Sequence, residues 1–140
     1  MPVHFHIFPE RGLVVVRYSG FASINDTLAA TKAYLAHPDY SAGQKQLVDM
    51  TQITGYEKDY VRFMNMQAAK AGRLATAGVQ SLVVYIANTP ESLDVSAMFI
   101  RSWIDVDAVV PMLQHTEADA LTILGQPEDT IDVLLETFVK

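Results

Sequence analysis

The run Ser81-Leu82-Val83-Val84-Tyr85-Ile86-Ala87 has no alternation of polar and apolar residues, and Asn88-Thr89-Pro90 follows it at once. A short continuous apolar run reads as a strand buried on both faces. Asn or Thr caps the helix that follows, and Pro90 sits in its first turn, where a missing N–H costs nothing. A buried strand feeding directly into a helix belongs to a layered α/β architecture. The rest of the chain is consistent with one such domain spanning residues 1–140.

Upstream, Val3 to Phe8 alternates with period two, placing Val3, Phe5 and Ile7 on one face and His4, His6 and Phe8 on the other. Pro9 to Gly12 is a turn, and Leu13 to Tyr18 is a β-branched strand expected to end at Gly20. Together they predict an antiparallel hairpin. Ser23, with Asp26 three residues on, marks a helix start, and His37-Pro38 stops that helix. Gln46 to Met50 reads as a short buried strand. Asp59 to Ala75 reads as a long helix with Tyr60, Phe63, Met64, Ala68, Ala71 and Leu74 on its inner stripe. In the helix after Pro90, Leu93, Ala97, Ile100 and Ile104 are expected to face inward. Val109 to Leu113 is a fifth strand, which Pro111 confines to a sheet edge because proline cannot donate to a ladder. Thr116 caps a short helix that Gly125 ends, and Pro127 is expected to open a last helix whose Ile131, Leu134, Leu135 and Phe138 share a face. The predicted order, β-β-α-β-α-β-α-β-α-α, implies a mixed, mostly parallel five-stranded sheet.

This order resembles the SpoIIAA-like fold of STAS domains. The residues that carry the resemblance are Arg17-Tyr18-Ser19-Gly20, Leu35-Ala36-His37-Pro38, Leu47-Val48-Asp49-Met50-Thr51, and Val109 to Leu113 followed by Thr116 to Leu121. The resemblance implies sequential strand order and a stand-alone bacterial regulatory or protein-interaction module without enzymatic activity. Regulatory STAS domains carry a phosphorylatable serine after the third strand. Thr51 to Glu57 holds that place here and contains no serine, so Thr51 and Thr54 are the nearest hydroxyls.

Other chemistry is restricted by composition. With no cysteine among 140 residues, disulfides, thiolate metal sites and cysteine nucleophiles are excluded. A net charge of −6 argues against a nucleic-acid partner, which would need a basic surface. No apolar run is long enough to span a bilayer, and no basic start precedes an apolar helix, so a cytoplasmic protein without a leader is expected. Glycine-rich phosphate loops and nucleophile elbows are missing, and no cofactor is implied. His4 and His6 lie two apart on a strand and supply at most half a metal site, so surface histidines are the simpler reading.

Candidate ligand-binding residues gather where strands end. Asp49, Thr51, Thr54 and Tyr56 follow the third strand, and Asn88 and Thr89 follow the fourth, at the carboxyl edge where α/β sheets collect ligands. The plainer reading makes Asp49 an acceptor for loop N–H groups and Thr89 a cap. Arg101 and Trp103 are candidates for an interface, since both types are common binding anchors; Trp103 equally fits a core position. Two function classes follow. One is the STAS-like interaction module, binding a protein partner or itself; a homodimer is expected because the sheet face opposite the crossover helices must be covered by the hairpin's polar side chains, a terminal helix or a second subunit. The other is a carrier of a small apolar ligand or lipid, with a closed pocket of several hundred Å³ near the carboxyl strand ends.

Overall fold

The computed structural model describes residues 2–76 and 78–138, with side chains described for all of these except 73–76 and 138. Five strands form one sheet: β1 (Val3–Phe8), β2 (Leu13–Ala22), β3 (Lys45–Tyr56), β4 (Ser81–Ile86) and β5 (Val109–Gln114). Their spatial order is β1-β2-β3-β4-β5. The first pair is antiparallel, and the remaining pairs are parallel. A 3₁₀ turn at Pro9–Arg11 closes the hairpin, and Gly12, at φ 58°, takes the left-handed conformation that turn requires. The expected α/β class, hairpin and mixed sheet are all present.

Helices α1 (Ile24–Ala36), α2 (Tyr60–Thr76) and α3 (Pro90–Ser102) connect the parallel strands. They pack on one face of the sheet, here the front, as right-handed crossovers between sequential strands require. Its core includes Val3, Tyr18, Val48, Val83 and Tyr85 from the sheet, with Ile24, Phe63, Met66, Val95, Phe99 and Trp103 from the helices. The opposite face is covered by α4 (Glu117–Ile123) and α5 (Ile131–Phe138). There Leu121, Leu124, Ile131 and Leu134 bury Leu13, Val15, Leu47, Val84 and Ile86. Terminal helices are thus the covering of that face.

The caps match the sequence closely. Ser23 Oγ accepts the Asp26 N–H at 3.1 Å, Thr89 Oγ1 accepts the Ser92 N–H at 3.2 Å, and Thr116 Oγ1 accepts the Asp119 N–H at 3.1 Å. Pro111 lies in β5 at the sheet edge, as predicted.

Four expectations are corrected. Gly20 does not end β2, which continues at φ 67° through Gly20 to Ala22. β3 extends far past Met50, so Thr51, Thr54 and Tyr56 are strand residues rather than a following loop. Two register shifts, between Arg17 and Ser19 and between Gly20 and Phe21 of β2, let the two strands stay paired over that length. The inner stripes of two helices are also rotated. In α2, Tyr60, Met64 and Ala68 are exposed, while Phe63, Met66 and Gln67 are buried. In α3, Leu93 and Ala97 face solvent and Ile104 lies beyond the helix, 71% exposed. Ser92, Val95, Ser96 and Phe99 are buried instead, Ser92 through the capping box it forms with Thr89. Finally, α5 begins at Ile131, not Pro127. Arg11 holds the intervening segment with paired bonds of 2.8 and 2.9 Å to Glu128. The side chains of Leu74 and Phe138, expected on inner faces, lie outside the described residues.

Candidate functional site

Asp49 occupies the back face of β3, 1% exposed. Its Oδ1 accepts the Thr51 N–H at 2.9 Å and the Thr51 hydroxyl at 2.7 Å. Arg17 Nε lies 3.4 Å from Oδ2, and Arg17 also reaches Asp132 of α5 at 3.2 Å. The first register shift falls beside this group. A bulge takes a residue out of the ladder, and the Asp49 carboxylate accepts the Thr51 N–H there. Asp49 and Thr51 are thus brought together as a brace for the bulge.

Asn88 and Thr89 are brought together by a different residue. Ser92 Oγ accepts the backbone N–H groups of both, at 3.0 and 2.9 Å, completing a capping box. Asn88 also donates to the His115 carbonyl at 3.4 Å. Among the described residues, no hydrogen bond or ion pair joins this pair to Asp49 and Thr51. Thr54 is exposed, and Tyr56 is half-buried with Lys58 Nζ 5.4 Å from its ring centre. Burial, followed by the nearby Asp94 carboxylate, pushes the Tyr56 hydroxyl upward.

The interface candidates separate. Arg101 is exposed, whereas Trp103 is 5% exposed and donates its indole N–H to Tyr85 Oη at 2.9 Å. Trp103 is a core residue. His4 is exposed and His6 half-buried, and among the described residues no three potential ligands converge on a metal position. Burial first, then the His4 and Arg17 charges, lowers the His6 pKa.

The more enclosed concavity lies elsewhere, apart also from a wider, open groove of about 610 Å³ lined by Ala71, Val79, Gln80 and Val106. A partly open cavity of about 100 Å³ sits on the front face between α1, α3 and the sheet. Val3, Val14, Val16, Val48 and Val83 form its floor, Ala30, Thr31 and Tyr34 of α1 its roof, and Phe99, Trp103 and Lys70 close one side. None of Asp49, Thr51, Thr54, Tyr56, Asn88 or Thr89 lines it. It is also much smaller than the several hundred Å³ expected of a lipid carrier.

Hydrogen bonds hold its aromatic walls in place. Tyr18 Oη and Thr27 Oγ1 are 3.0 Å apart, and Tyr34 Oη donates to Gln44 Oε1 at 2.6 Å. Tyr85 accepts from Trp103. Burial pushes the Tyr18 hydroxyl up to about 12 and drives Tyr34 and Tyr85 further upward, so all three stay neutral. Lys70 is half-buried, with Nζ 5.6 Å from the Phe99 ring centre and 5.9 Å from that of Trp103. Burial lowers its amine to about 8. Sequence reasoning missed this residue. The available signal was its place three and four residues after Gln67 and Met66, on the stripe begun by Phe63.

No protein-family model matches this chain, and no curated protein matches it. Among the described residues, no helix is long and apolar enough to cross a membrane.

Proposed function

We propose that the chain is a non-catalytic binding module for a small apolar molecule, held between α1, α3 and the front of the sheet. The cavity framed by Val16, Tyr34, Tyr85 and Trp103 is the observation that carries this reading. A cavity of roughly 150 Å³ accepts benzene, so 100 Å³ suits an apolar body of about four to six heavy atoms. At the carboxyl edge, Asp49 braces a bulge and Thr89 caps a helix.

Titration with hexanol, followed by amide and indole N–H resonances, tests the proposal. Shifts should concentrate at Tyr34, Tyr85 and the Trp103 indole. Ala30→Leu, which pushes a larger side chain in from the roof, should remove them. Shifts spread over the surface, or none at millimolar ligand, would overturn it.

A further inference from the structure

We propose that the bound molecule is a small carboxylate, its apolar body in the front cavity and its carboxylate on Lys70 Nζ. The inference rests on the binding reading above and adds the chemistry of the head group. Among the described residues, Lys70 is the only charged side chain on the cavity wall. Among the described residues it has no carboxylate within ion-pair distance. The neighbouring phenol groups are already engaged with Thr27, Gln44 and Trp103. The ammonium is therefore the cationic group left to receive a ligand, and two aromatic faces fix its position. A single cation beside a narrow apolar void matches one negative charge on a short or ring-shaped body. Phosphate esters carry more charge than this single cation balances.

A half-buried ammonium with no anionic partner loses hydration that nothing replaces, which is the cause of its lowered pKa. A carboxylate at Nζ would restore the charged state. Charge-assisted hydrogen bonds of this kind strengthen binding by about tenfold to a hundredfold.

The test compares hexanoate with hexanol by calorimetry near neutral pH, on the wild type and on Lys70→Met. Hexanoate should bind the wild type at least tenfold tighter than hexanol. Lys70→Met should erase that preference while still binding hexanol. Equal wild-type affinities, or a preference that survives Lys70→Met, would refute the carboxylate assignment and leave the apolar site standing. If neither compound binds the wild type, the site itself is refuted. The wild-type comparison does not depend on how the variant folds.

Discussion

Replacing Lys70 by methionine removes an ammonium from an apolar wall and keeps an unbranched stem of similar length. Burial moves the Lys70 amine from 10.5 to about 8, so the folded state disfavours its charged form. At about 1.4 kcal/mol per pKa unit, this opposes folding by at most about 3 kcal/mol near neutral pH. The Phe99 and Trp103 faces return part of that, on the order of 0.5–1 kcal/mol each. Lys70→Met should therefore raise stability by about 1–2 kcal/mol near pH ~7. The sign with pH is fixed by the direction of the shift. Below about pH 8 both states hold the proton and the penalty is constant. Between there and 10.5 the unfolded chain binds more protons, so the wild type gains stability as pH rises. More than half the penalty should be gone by about pH 9.5. Tyr18, Tyr34 and Tyr85 act in the opposite sense above about pH 10, but equally in both proteins. Urea unfolding of the pair at a series of pH values measures the difference directly. A difference that stays flat from pH ~6.5 to ~9.5, or a variant less stable than wild type near neutrality, would refute the desolvation argument.

Three further outcomes are expected. Asp49→Ala should cost about 1–3 kcal/mol in urea unfolding, because it leaves the Thr51 N–H without its acceptor and Arg17 with Asp132 alone, whereas Asp49→Asn keeps an acceptor and should cost less; equal costs would contradict the bracing role. Trp103→Phe leaves the buried Tyr85 hydroxyl without its donor and should destabilise by about 1–3 kcal/mol, with Tyr85→Phe in the same background restoring part of the loss in a double-mutant cycle. Ser96 is fully buried, and its hydroxyl has no partner among the described residues, so Ser96→Ala should raise the melting temperature through about 0.5–1 kcal/mol.

Local signals made the topology legible. Ser23, Thr89 and Thr116 each declare a helix start through one side-chain oxygen, and Pro111 declares an edge through one missing donor. What the sequence obscured depends on partners distant in the chain. β3 outlasts its apolar run because β2 stays paired with it across two bulges, a matter of strand register rather than hydrophobicity. In α2 and α3 the buried face includes polar residues, so apolar periodicity alone misplaces it. The packed faces carry Gln67, Ser92 and Ser96, polar side chains that apolar periodicity does not select, while Tyr60 opens α2 and Ile104 lies beyond α3. Gln67 Nε2, for example, donates to Ser102 Oγ of α3 at 2.9 Å. The carboxyl-edge candidates were found in sequence as a cluster, but the structure divides them between a bulge and a cap. The cavity was invisible because its one charged residue reads as an ordinary helix lysine until the face of α2 is known.

The two sheet faces differ in how they respond to an internal void. Behind the sheet, Leu13, Val15, Leu47 and Val84 meet aliphatic side chains of α4 and α5 at 0–1% exposure, and aliphatic groups adjust to fill gaps. In front, the wall is aromatic, and its polar tips are tied to Thr27, Gln44 and Trp103. Such rings cannot rotate inward without leaving a buried hydroxyl or indole N–H unpaired, at about 1–3 kcal/mol each. Leaving about 100 Å³ unfilled costs about 2 kcal/mol at roughly 24 cal/mol per Å³. Each polar tip lost is comparable with the void itself, so a collapse that breaks two or more of these bonds is the costlier outcome. Keeping the cavity is then cheaper than closing it, and an apolar body entering it gains dispersion contacts without rearranging the wall.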